Sequence, residues 1–163
     1  MKGLILDLRS NPGGNLETVV KICGEILPEG IITYTLDKYG NRVDYKSKGK
    51  SPIEIPMVVL VNDFSASASE LMTGAIRDYK KGTIMGTNTY GKGIVQEIAT
   101  LPDGSGLKLT VERYYTPNGE CFHGYGIAPD IEVEFDSELY YSDAAIDNQI
   151  VAAEEYLLDE LSH

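Results

Sequence analysis

Met57-Val-Val-Leu-Val-Asn-Asp-Phe-Ser-Ala-Ser-Ala-Ser-Glu70 is the stretch that decides how this chain of 163 residues folds. Five consecutive apolar residues, Met57 to Val61, read as a strand covered on both faces. The Ser/Ala-rich turn then opens a helix to about Tyr79, with Leu71, Met72, Ala75 and Ile76 at helical spacing. The same order stands upstream. Leu4 to Leu8 is a short apolar run, and Arg9-Ser-Asn-Pro-Gly-Gly14 is a turn. Leu16, Val19, Val20, Cys23, Ile26 and Leu27 mark a helix over residues 15–27, stopped by Pro28-Glu-Gly30. Strand, turn and helix, given twice, predict an α/β domain with a partly parallel sheet flanked by helices.

Hairpins are added to that core. Ile31 to Leu36 and Arg42 to Tyr45 flank Asp37-Lys-Tyr-Gly-Asn41, and residues 46–52 read as a polar, basic, exposed loop. Thr83-Ile-Met85 is a short strand, and Ile94–Ala99 and Leu107–Tyr115 form an antiparallel pair across Pro102-Asp-Gly-Ser-Gly106. A strand is expected over 131–135. A closing helix is expected over 143–161, with Ile146, Ile150, Ala153, Leu157 and Leu161 on one stripe. The length suits one domain over residues 1–163. Because Met1-Lys2 leads straight into a core strand, the chain reads as a fragment whose upstream partner segment is missing.

The formal net charge of -11 repels phosphate backbones and argues against a nucleic-acid partner. No run approaches the roughly 18 apolar residues that a membrane span needs, so stable membrane insertion by these residues is not expected. Two cysteines, Cys23 and Cys121, are too few for a disulfide framework and lack metal-site spacing. Cys23, in an apolar helical stretch, reads as a small buried hydrophobe.

The candidates for chemistry emerge by subtraction. The histidines are His123 and His163, so a Ser-His-Asp triad could use only His123, and metal sites built on several histidines are excluded. Gly13-Gly14 lacks the Gly-Lys-Ser/Thr of a phosphate-binding loop. Ser67 follows a buried strand and opens a helix, which projects its hydroxyl at the strand's carboxyl end. The Ala68 amide behind it is suited to stabilising an oxyanion. Ser67-Ala-Ser-Glu70 equally fits a capping box. Lys92, in Thr89-Tyr-Gly-Lys-Gly-Ile-Val-Gln96, would act as a base if Tyr90, Ile94 and Val95 desolvated its amine; between glycines, a lysine is ordinarily a solvated hairpin residue. Gly91 and Gly93 let the backbone approach a neighbour. Gln96, four residues on, shares the lysine's face in a regular strand. The Asn11-Pro-Gly-Gly14 turn either presents amides to an anion or is a simple strand-to-helix turn.

Taken together, these segments resemble the C-terminal processing peptidases, also called tail-specific proteases. Gly3-Leu-Ile-Leu-Asp-Leu-Arg-Ser-Asn-Pro-Gly-Gly14, Val58 to Glu70 and Gly86-Thr-Asn-Thr-Tyr-Gly-Lys-Gly-Ile-Val-Gln96 carry the likeness. Leu107-Lys-Leu-Thr110, Tyr115-Thr-Pro-Asn-Gly119 and Gly126-Ile-Ala-Pro-Asp130 extend it in order, over residues 3–135. The resemblance implies a crotonase- and ClpP-like α/β core and a serine endopeptidase that cuts polypeptides near their C-termini. It implies Ser67 as nucleophile, Lys92 as general base and Gln96 as the residue that orients the lysine. The implied oxyanion hole is the Ala68 amide with that of Gly13 or Gly14. No metal, nucleotide or other cofactor is implied. Relatives of this kind usually carry a PDZ module and further helices ahead of the core, and work outside the cytoplasm. Two rival classes stay open: a non-catalytic peptide-binding or scaffold domain, and an acyl-CoA-handling crotonase relative that uses the Gly13-Gly14 amides on a thioester. A homo-oligomer is among the assemblies left open.

Overall fold

The computed structural model describes residues 1–49 and 52–162. Its first half runs β1 (Leu4–Asp7), α1 (Leu16–Ile26), β2 (Gly30–Asp37), β3 (Arg42–Ser47), β4 (Met57–Val61) and α2 (Ala68–Asp78). The second half runs β5 (Thr83–Gly86), β6 (Ile94–Thr100), β7 (Gly106–Tyr115), β8 (Ile131–Glu132), α3 (Ser137–Tyr140) and α4 (Asn148–Glu160).

A four-stranded sheet, ordered β1-β4-β5-β8, is parallel throughout. All five residues of β4 are buried because helices cover both faces. Met57, Val59 and Val61 point into the core shared with α1 and α2, whereas Val58 and Leu60 point toward Ala153 and Leu157 of α4. That alternation is the period of two expected of a strand. β1 is only half-buried, since it is the edge strand and β4 the centre. A second sheet, ordered β3-β2-β7-β6, is antiparallel. Both expected hairpins form, and β2 pairs with β7 to join them, a long-range contact the local pattern did not contain.

Three boundaries move. β8 keeps only two residues of the expected 131–135. The closing helix starts at Asn148, because Asp147 accepts from the amides of Gln149 and Ile150 and so caps it. Ile146 and Leu161 therefore fall outside the helix and are exposed, and the buried face is Gln149, Ala153 and Leu157. Residues 46 and 47 extend β3 instead of starting a loop; Lys50 and Ser51 of that expected loop lie outside the described residues.

Gln149 is a polar residue in the core with every reason to be there. Its amide donates to the Val133 carbonyl at 2.6 Å, and its oxygen accepts from Arg9 at 2.8 Å. Arg9 also pairs with Asp7 and Asp147, which together hold its guanidinium firmly charged. This cluster ties the end of β1 to the start of α4. Cys23 is buried as expected, and burial pushes its thiol up to about 12.

Leu60 is 0% exposed and fills the space between β4 and α4. Leu60→Ala is expected to destabilise the fold by about 2–5 kcal/mol. A fall in the urea midpoint at unchanged slope measures it.

Candidate active site

Parallel pairing brings three turns to one edge of the sheet. Asp7 of β1 is opposite Leu60, and Val61 of β4 is opposite Gly86 of β5. The segments that follow, 8–15, 62–67 and 87–93, therefore leave the sheet at the same end. Carboxyl ends of parallel strands are where α/β proteins build sites.

The serines of the Ser65-Ala-Ser-Ala-Ser69 turn are not equivalent. Ser65 is fully buried and donates to the Leu8 carbonyl at 2.8 Å. Ser69 donates to the Asn11 carbonyl at 3.1 Å. Ser67 and Glu70 stand in capping-box relation; the half that closes as a hydrogen bond is Ser67 N–H to Glu70 Oε2 at 2.8 Å, and the Ser67 side chain makes no cap hydrogen bond. Two hydroxyls thus stitch the turn to the segment after β1, and the middle one is uncommitted.

Ser67 has φ 55° and ψ -114°, a left-handed backbone that a non-glycine residue adopts at a cost on the order of 1–3 kcal/mol. Such strain persists where the surroundings over-determine it. Here the Ala66 N–H donates to the Asn11 carbonyl at 3.0 Å on one side, and Glu70 holds the Ser67 N–H on the other. A sharp strand-to-helix turn of this kind exposes a hydroxyl at the sheet edge.

Gly13 packs directly on that turn. A Cβ there would lie 2.5 Å from the Ala66 oxygen and 2.7 Å from the Ala68 nitrogen, and its φ is +97°. The Gly13 amide is already used, donating to Asn11 Oδ1 at 2.9 Å. The Gly14 and Ala68 amides donate to no acceptor among the described residues. Of the two glycine amides proposed from sequence, Gly14's is the available one. Beside these amides a cleft of about 240 Å³ opens between α1 and α2, walled by Leu8, Val19, Ile22 and Met72 and lined by no charged side chain. A larger cleft of about 810 Å³, polar and rich in Asp and Glu, touches neither Ser67 nor Lys92.

Lys92 lies in the loop ahead of β6, not in a strand, and is exposed. The apolar enclosure that would desolvate its amine does not form, since Tyr90 is 65% exposed and Ile94 and Val95 are half-buried. What is buried is the loop's backbone. The Gly91 and Lys92 amides donate to Glu70 at 2.6 and 2.8 Å, and Thr89 Oγ1 donates to it at 2.6 Å. Gly91, at φ +88°, passes within reach of the 124–126 amides, the close approach expected of it. His123 contributes here as well: its Nδ1 is 3.1 Å from the Gly91 carbonyl, which also accepts from the Gly124 amide. The Lys92 amine makes no hydrogen bond or ion pair among the described residues.

Gln96 does not reach the lysine. It is exposed on β6, and its Nε2 is 3.5 Å from Thr110 Oγ1. A register shift between Val95 and Gln96 breaks the alternation that would have aligned the two side chains. Sequence reasoning missed Thr89 altogether and assigned Glu70 only a cap. The spacing of Glu70 from Ser67 was the signal for the cap, and nothing local points to the other three donors.

Residues 1–133 match the family model of peptidase family S41. The chain belongs to that family. It is 43% identical over 132 residues to the carboxyl-terminal-processing protease of Synechocystis sp., a match covering 81% of this chain and 31% of the relative. It is 44% identical over 137 residues to the carboxy-terminal-processing protease of Bartonella bacilliformis, covering 82% and 31%. The structure of the photosystem II D1 C-terminal processing protease superposes with a TM-score of 0.78 at 37% identity, over 89% of this chain and 40% of that one. The chain thus spans 31% of the length of these two curated relatives. Its parallel sheet and antiparallel addition are the mixed α/β architecture of family S41.

The two glycines of this S41 turn should respond differently to one methyl group. Gly13→Ala would drive a Cβ into the Ser67 turn, whereas a Cβ at Gly14 meets nothing within 4 Å. Gly13→Ala is expected to destabilise the fold by about 1–3 kcal/mol, and Gly14→Ala to change its stability by less than about 0.5 kcal/mol. The urea midpoints of the two purified variants decide it.

Proposed function

We propose that this S41 chain is the catalytic core of a serine endopeptidase that cuts polypeptides near their C-termini, with Ser67 as nucleophile and Lys92 as general base. The observation that carries the reading is the pairing at Glu70: the Ser67 and Lys92 amides both donate to one carboxylate oxygen, each at 2.8 Å. Serine and lysine are thereby neighbours, and both side chains are left free for chemistry.

In this mechanism the neutral Lys92 amine takes the proton of Ser67 Oγ as that oxygen attacks the scissile carbonyl. The carbonyl oxygen, now an anion, is held by the Ala68 and Gly14 amides, which have no acceptor among the described residues. Collapse breaks the C–N bond, and the lysine passes its proton to the departing amine. Water, deprotonated by the same lysine, then attacks the acyl ester; the C–O bond to Ser67 breaks and the lysine returns the proton to Ser67 Oγ. The side chain on the acyl side of the bond lodges in the uncharged cleft next to those amides, because the departing amine must leave on the Lys92 side. Lys92 is exposed without substrate, so the incoming polypeptide supplies the cover that strips water from its amine.

A fluorophosphonate probe tests the reading without requiring turnover. The chain is expected to be labelled once, at Ser67, and Ser67→Ala to abolish labelling while far-UV circular dichroism stays the same. Lys92→Ala should slow labelling by about 10²–10⁴-fold. A wild-type chain that resists the probe would leave the scaffold reading standing. Labelling that survives Ser67→Ala would place the nucleophile elsewhere.

A further inference from the structure

Glu70 is the residue that the proposed reaction leaves without a task, and it is the most heavily bonded side chain at the site. It is 0% exposed. It has no cationic partner among the described residues. Helix capping does not explain this. A cap needs one hydrogen bond, functions at the surface, and is worth about 0.5–2 kcal/mol. Sealing a carboxylate from water costs more than that unless every lone pair finds a donor.

The four donors divide in an instructive way. Oε2 takes the amides of Ser67 and Lys92; Oε1 takes Thr89 Oγ1 and the Gly91 amide. Three of the four come from a loop 19 to 22 residues away in sequence. The Ser67 and Lys92 nitrogens can be no farther apart than two 2.8 Å bonds laid end to end. Thr89 is held on both sides: its oxygen accepts from the Ile127 amide at 2.7 Å and its hydroxyl donates to Glu70 Oε1 at 2.6 Å. The Lys92 side chain has no anchor of its own among the described residues. Where its amine reaches therefore depends on where Glu70 holds its backbone.

We propose that Glu70 is a positioning residue for the Ser67–Lys92 pair, its carboxylate clamping the base loop 89–92 against the nucleophile turn. The proposal rests on the peptidase reading above and goes beyond it by naming what makes the dyad meet. Ser67 and Lys92 are held through their backbones by a group that never touches substrate. Glu70→Gln keeps the volume but replaces one acceptor oxygen with an amide that cannot accept, so the clamp loses part of its hold. Thr89→Val removes one donor from the loop side alone and leaves the Ser67 bond in place.

The test is a double-mutant cycle on the rate at which a fluorophosphonate modifies Ser67. Wild type, Glu70→Gln, Thr89→Val, Lys92→Ala and the two doubles with Lys92→Ala are compared, with circular dichroism reporting the fold. Each clamp variant is expected to lower the maximal labelling rate on the order of 10–100-fold, with the half-saturating probe concentration unchanged. In the Lys92→Ala background the further loss should shrink to within about threefold, because the clamp acts through the lysine. Equal losses in both backgrounds, or wild-type rates in the clamp variants, would overturn the proposal. If Glu70→Gln does not fold, the Thr89→Val arm carries the same decision. A wild-type chain that is never labelled overturns the dyad, and the clamp falls with it. A labelled chain that is indifferent to residues 70 and 89 overturns the clamp alone.

Discussion

A carboxylate sealed from water, with four N–H or O–H donors and no cation, can exist only where the backbone delivers those donors to it. Glu70 imposes that condition on two segments at once. Its position at the third residue of α2 helps, since the first helical turn favours negative charge. The remaining donors must come from the chain that follows β5. The packing of the 89–93 loop on the 121–127 loop then serves the same end. The Ile127 amide orients the Thr89 hydroxyl, and the Gly124 amide and the His123 ring secure the Gly91 carbonyl. Through these contacts one side chain constrains three segments, the Ser67 turn, the 89–93 loop and the 121–127 loop.

The parallel sheet is what makes this delivery possible. Because β4 and β5 pair with Val61 opposite Gly86, the Ser67 turn and the 87–93 loop emerge side by side, with α2 occupying the crossover between them. The β1–β4 pairing adds the Asn11-Pro-Gly-Gly14 turn at the same edge. Asn11 then works on two fronts. Its carbonyl receives the Ala66 amide and the Ser69 hydroxyl, and its side chain caps the Gly13 amide. The strained Ser67 backbone is bracketed between Asn11 and Glu70, each fixed by a different strand of the sheet.

The parts of this arrangement that were legible in the sequence are those with a local cause. Apolar runs announced β1 and β4, and the turn chemistry after each announced the helices. Local pattern could not rank the two strands as edge and centre, since Leu4-Ile-Leu and Val58-Val-Leu look alike until neighbours are assigned. Nor could it pair β2 with β7, whose contact spans almost 80 residues of chain. Gln149 was invisible as a core residue because its partners, Arg9 and Val133, come from elsewhere in the chain. At the site, Ser67 was legible by its turn and Glu70 by its spacing. Of the two readings open for Lys92, an enclosed amine and a solvated loop lysine, the side chain takes the second for a specific reason. The glycines on either side do bring the loop into the interior, but by its amides, and they leave the lysine side chain outside.

That division of labour between backbone and side chain is how a small fold could keep the proposed Ser67–Lys92 pair without enclosing it. Enclosure of Lys92 by apolar residues would cost desolvation of an amine at all times, with or without substrate. Anchoring through the Gly91 and Lys92 amides places that cost on neutral peptide groups, which are satisfied by one carboxylate. The Gly14 and Ala68 amides, which have no acceptor among the described residues, would be the donors kept for the carbonyl in the proposed reaction. A polypeptide lying across the 240 Å³ cleft and the Ser67 turn would displace that water and cover the lysine in one event. With Lys92 as the proposed base, the fold would fix distances in advance and leave desolvation to binding, so that the base would become competent when there is a bond to cut.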